Sequence, residues 1–83
     1  MQTFAAYITH ATQDGTYSEG AEFPASHWKD AIEMATAKAT DIARGDYQEL
    51  ALLTARNDDG SIASFSARCT NDDSFALVTI TEL

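Results

Sequence analysis

One stretch of this chain, from Ser26 to Gly45, carries helical spacing, and most of what flanks it alternates in the manner of strands. Between His27 and Arg44 the residues are rich in Ala, Met, Glu and Lys, good helix formers. Trp28, Ile32, Ala35, Ala39 and Ile42 recur at intervals of three, four and seven, which sets one apolar stripe along a helix. Asp30, Glu33, Ala37, Asp41 and Arg44 lie opposite. Ser26 is placed to cap the first turn, Asp30 to meet its positive end, and Gly45 to supply a left-handed stop. Small Ala35 and Ala39 in mid-stripe predict a helix lying close to a sheet. Trp28 and Ile42 anchor its ends, each adding ~1.5–3 kcal/mol if fully buried.

Strand patterns fill the rest. From Thr3 to Ala11, Phe4, Ala6 and Ile8 alternate with Ala5, Tyr7 and Thr9. Asp14-Gly15 then signals a hairpin, and Thr16 to Phe23 returns with Tyr17, Ala21 and Phe23 pointing inward. Gly20 marks a bulge or an edge. After the helix come three strands: Tyr47 to Arg56, Ser61 to Cys69 and Ser74 to Leu83, joined by Asn57–Gly60 and Thr70–Asp73. Ala63, Phe65, Ala67 and Cys69 share one face of the middle strand. In the last strand Phe75, Leu77 and Thr79 oppose Ala76, Val78 and Ile80, so its inward face stays open. Strands interrupted by a single helix predict a single α+β domain over residues 1–83 in two layers. One amphipathic helix packs on an antiparallel sheet of four to five strands, in the order ββαβββ. No helix-sized apolar run and no basic leader is present, which predicts a cytoplasmic protein. Cys69 is the only cysteine, which suits a reducing compartment.

Chemistry has few places to reside. The two histidines, His10 and His27, and the lone Cys69 offer no zinc-ligand spacing, and the chain has no phosphate loop. Asp58-Asp59 and Asp72-Asp73 lack the alternating oxygens of a calcium loop and read first as turn residues. No metal or cofactor is expected. A small enzyme built on Cys69 and a histidine is the catalytic alternative. Against it, Cys69 runs in phase with Phe65, as a small core residue does. The expectation is a protein that is not an enzyme.

Charge is the more informative feature. Thirteen acids stand against five bases, a formal net charge of −8. That balance disfavours direct binding of nucleic acid, whose phosphates need Lys and Arg. It favours capture of a positively charged protein surface, because such a field steers and accelerates encounter. Asp30, Glu33, Asp58, Asp59, Asp72 and Asp73 are the candidate contacts, with Tyr7 and Tyr47 as aromatic anchors beside them. The last strand, Phe75 to Leu83, is a candidate edge for self-pairing. Mutual repulsion of the acids nonetheless favours a monomer over a homodimer.

The small acidic chain, its Asp14-Gly15 hairpin, the helix Trp28-Lys29-Asp30-Ala31-Ile32-Glu33-Met34-Ala35 and the strand meander after it resemble the small phage-encoded anti-CRISPR proteins. The resemblance concerns size, charge and element order along the whole chain, so no functional residue transfers by motif. It implies an inhibitor in the host bacterial cytoplasm that blocks a Cas effector by occupying a basic nucleic-acid-binding surface. A type I surveillance complex is the favoured target. Strands leading through an Asp-Gly turn into an Ala/Glu-rich helix are also similar to antitoxins of the HicB family. The Pro-Gly signature of that family is absent here, and no DNA-binding appendage follows.

Overall fold

The computed structural model describes residues 1–83 as one helix packed on a six-stranded antiparallel sheet. In chain order the elements are β1 (Gln2–Thr12), β2 (Gly15–Ala25), α1 (Trp28–Ala43), β3 (Asp46–Glu49), β4 (Ala55–Arg56), β5 (Ile62–Thr70) and β6 (Ser74–Glu82). In space the strands run β2-β1-β6-β5-β3, with β4 also paired to β5. The α+β class and the helix-on-sheet layering follow the sequence pattern. Strand count, sheet order and the helix each depart from it in one respect.

The first departure is the segment Tyr47 to Arg56, which is not one strand. Leu50 pairs through its N–H with Ser66 O, and its own carbonyl then accepts from the Leu53 and Thr54 amides. That local turn lifts Ala51, Leu52 and Leu53 out of the ladder and leaves Leu52 fully exposed. β4 rejoins β5 only for two residues, across an irregular register. The second departure is β6, which is not an edge. It lies between β1 and β5, paired along its whole length with β1 and from Phe75 to Thr81 with β5. The actual edges are β2 and the β3–β4 side.

The third departure is in the helix. Its buried line is Ala31, Ala35, Ala39 and Ala43, four alanines one turn apart, while Trp28, Ile32 and Ile42 flank it half-buried. A ridge of methyl groups lets the backbone settle closely on the sheet, mainly over β5 and β6. Ser26 does not cap: His27 holds the N-cap position in extended conformation with no side-chain hydrogen bond. Gly45 does not make the left-handed stop either. Arg44 does, at φ 55°, its N–H bonded to Thr40 O at 2.7 Å. Gly45 has a different duty, because a Cβ there would collide with the Thr70 carbonyl and the Asn71 side chain.

The helix-facing side of the sheet holds Phe4, Ala6 and Ile8 of β1, Ala76, Val78 and Ile80 of β6, and Phe65, Ala67 and Cys69 of β5. Phe4 stacks on Phe23 at 6.1 Å and meets the Trp28 edge at 5.0 Å, closing that end of the core. The Asp14 hairpin forms as the pattern predicts, with Gln13 and Asp14 in the turn and Gly15 opening β2 at φ 143°. Ladder pairing from Thr12–Gly15 to Gln2–Ala25 is uninterrupted, so Gly20 marks an edge without a bulge.

Candidate functional site

The acids identified from sequence do not converge. Asp58 and Asp59 sit in the loop before β5, whereas Asp72 and Asp73 sit in the turn after it. A nine-residue strand, about 30 Å of extended chain, separates the two pairs. Asp30 and Glu33 lie on the first turns of α1, above the other layer. Tyr7 and Tyr47 are each about half exposed, but on opposite faces of the sheet. Tyr7 projects from the uncovered face, while Tyr47 pairs with buried Cys69 and so points to the helix side.

What the fold does bring together is a different group. Thr12 pairs with Ser74, so the β1–β2 turn and the β5–β6 turn lie side by side. Asp14 thereby joins Asp72 and Asp73 at one end of the molecule. Asp46, paired with Thr70, and Asp41 in the last turns of α1 lie at the same end. The helix terminates there with no base in its last turn, which adds the negative pole of its dipole. Arg44 donates to none of these acids, and Arg68 reaches only the Gln48 side chain, at 3.4 Å. Asp14, Asp41 and Asp46 were not among the candidate contacts, since only the β1–β6 and β3–β5 pairings place them with Asp72 and Asp73.

Across the whole molecule only two acids meet a base. Glu19 binds Lys38 at 2.8 Å, and Asp30 lies 3.5 Å from His27. Asp59 is engaged differently: its Oδ1 accepts from the Ser61 N–H and hydroxyl at 2.9 and 2.6 Å. These hydrogen bonds hold its carboxyl below the usual aspartate range. The Tyr47 phenol is pushed up, first by burial and then by the Glu49 carboxylate on the same side of β3. It therefore stays neutral, a hydrogen-bond donor at an otherwise acidic edge.

Cys69 is fully buried, its Sγ 3.4 Å from Thr40 Oγ1 and 4.0 Å from Thr36 O. His10 occupies the same cross-sheet row, but Ala76 of β6 lies between them, so their backbones are ~10 Å apart. His27 stands at the opposite end of the helix from the turns that touch the thiol. Neither histidine is placed to take a proton from Cys69. No three His, Cys, Asp or Glu side chains gather in a way that could hold a metal ion. A cleft of about 200 Å³ opens between α1 and the β1–β2 hairpin. Ile8, Ala21, Phe23, Met34 and Ala35 line it, and the Glu19–Lys38 pair borders it. It is an apolar slot without a convergent reactive group.

The uncovered face of the sheet carries Thr, Ser and Ala with Tyr7, Phe75 and Leu77. Its charges are Glu22, Asp46 and Arg68, all towards the sides of the sheet. The carboxylates therefore sit on turns, helix and margins. Fold and surface together define an acidic two-layer α+β protein built from a helix and an antiparallel sheet. No protein-family model, curated protein or solved structure matches the chain. No helix is long and apolar enough to cross a membrane.

Proposed function

We propose that the protein acts by binding, as an acidic inhibitor that occupies a positively charged protein surface. The observation that supports this reading is the state of its carboxylates. Of thirteen acids, Glu19 alone is paired with a lysine and Asp30 alone with a histidine. Few of the carboxylates are pinned by contact with a base, and at one end Asp14, Asp41, Asp46, Asp72 and Asp73 outnumber Arg44 and Arg68 beside the negative pole of the helix. Such a surface is repelled by phosphate and drawn to the Arg/Lys-lined groove that a nucleic acid would otherwise fill.

The particular target is a Cas effector, with the type I surveillance complex favoured, and the protein works as an anti-CRISPR in the bacterial cytoplasm. The unbridged Cys69 suits that compartment. Binding in place of catalysis fits a thiol sealed beneath the helix and a cleft lined by aliphatic side chains. The test is phage plating on a host immunised by a type I system, with and without the chain expressed. Restored plaques, reduced again by reversing Asp14, Asp72 and Asp73 to Lys, are the expected result. Unchanged plating overturns the anti-CRISPR assignment. If the chain instead rescues growth against a co-expressed toxin, it belongs with the antitoxins.

A further inference from the structure

The two edges of the sheet are unlike. On the β3–β4 side the edge is four residues long and then broken by the Leu50–Thr54 turn and an irregular register. Those are the devices that keep an edge from pairing. β2 has neither. It is eleven residues long, straight in register and without a lysine, an exposed edge of ~36 Å.

Which of its backbone groups face outward can be read from the other side of β1. Leu83 N–H donates to Thr3 O at 2.9 Å, so Thr3 directs its backbone at β6 and away from its β2 partner, Pro24. Antiparallel pairs alternate, so Thr16, Ser18, Gly20, Glu22 and Pro24 turn their backbone groups away from β1. Proline has no N–H to lose there, which explains why it is tolerated inside a strand. Four free amides and five free carbonyls remain in a row.

We infer that β2 pairs antiparallel with β2 of a second copy, about a two-fold axis at Gly20, joining two six-stranded sheets into one. The self-complementary placement of Tyr17 and Phe23 on β2 points to a second copy and sets the register, while charge excludes two of the alternatives. Glu19 is already neutralised by Lys38, so Glu22 is the one unpaired acid on the strand. A register centred on residue 19 sets Glu19 against itself, and one centred on residue 22 does the same for Glu22. Centred on Gly20, Glu22 faces Ser18 of the partner subunit and Glu19 faces Ala21 of the partner subunit. Tyr17 meets Phe23 of the partner subunit on the helix side, extending the Phe4–Phe23 stack. Aromatic cross-strand pairs of this kind are favourable. On the uncovered face Tyr7 lies against Gly20, where a Cβ would come within 3.4 Å of its ring, so two tyrosines flank the axis. Repulsion between acidic copies is thereby kept away from the contact, which reverses the expectation of a monomer.

Solution mass and amide hydrogen exchange of the intact chain test the pairing. The expected results are a mass twice that of one chain and slow exchange at Thr16, Ser18, Gly20 and Glu22. Ser18→Pro removes an outward amide, leaves the β1 backbone ladder intact while giving up the Ser18–Thr9 hydroxyl contact, and halves the mass. Should that variant fail to fold, the Gly20→Cys, Cys69→Ser double variant keeps the register testable. It cross-links under mild oxidation, whereas Thr16→Cys, Cys69→Ser does not. A monomer in solution overturns the inference, as does a dimer whose four amides exchange freely. Protection that arises only on adding a foreign protein assigns the edge to that protein and overturns it equally.

Discussion

Gly45 and Thr70 are packed so that the glycine Cα faces the threonine carbonyl with no room for a side chain between them. The contact clamps the end of α1 to the end of β5, and Asn71 strengthens it by donating from Nδ2 to Arg44 O at 3.2 Å. Even one methyl group at position 45 must push the two elements apart. Gly45→Ala is expected to cost about 3 kcal/mol, at the upper end for overpacking. In a domain of this size that lowers the thermal midpoint by roughly 12–24 °C. Calorimetry checks it, and an unchanged midpoint would show that the clamp is slack.

Arg44 carries the opposite expectation. Its left-handed backbone is costly for a residue with a Cβ, by about 1–2 kcal/mol. Arg44→Gly removes that cost while giving back part of it through a freer unfolded chain. A net gain of about 0.5–1 kcal/mol in urea unfolding is expected. A loss instead would mean that the guanidinium, and not the backbone, matters at this position.

His10 buries its Nε2 without a hydrogen-bond partner, while its ring meets Tyr17 edge-on at 5.4 Å. An unsatisfied buried polar atom costs about 1–3 kcal/mol. His10→Phe keeps an aromatic ring against Tyr17 and removes the orphan, so denaturant unfolding should show a gain of about 1 kcal/mol.

Asp59 links pH to the Asn57–Gly60 loop. Its carboxyl titrates below its ordinary value because Ser61 donates twice to the charged form. A lowered folded-state pKa means the unfolded chain binds the proton more readily. The stabilisation is complete above the ordinary aspartate range and disappears as pH falls through the lower, folded value. An NMR titration of wild type and Ser61→Ala checks this. The Asp59 midpoint should rise in the variant, and the acid limb of stability should flatten. Coincident midpoints would remove the Ser61 hydroxyl as the cause.

The helix, the Asp14 hairpin and the buried face of β1 were legible because their periods of 3.6 and 2 are local properties of backbone geometry. Phe4, Ala6 and Ile8 can share only one side of a strand, and that side proved buried. The inward face of β6 was not legible, since apolar residues occupy both sides of it. Its place between β1 and β5 decides that Ala76, Val78 and Ile80 meet the helix while Phe75 and Leu77 do not. The helix stripe was half legible. Large residues weight a pattern by hydrophobicity, yet close packing on a sheet selects the smallest ones, Ala31, Ala35, Ala39 and Ala43.

The candidate contacts divide along the same line. Sequence by itself determined the excess of acid, the want of bases to cancel it, and one helix among strands, because composition and periodicity survive without any knowledge of neighbours. Only the tertiary structure decided that Asp14 stands with Asp72 and Asp73, that Asp58 and Asp59 are remote from them, and that β2 is the open edge. Those relations rest on which strand pairs with which. Pairing is fixed by burying a shared face across long stretches of chain, a condition no short window of residues contains.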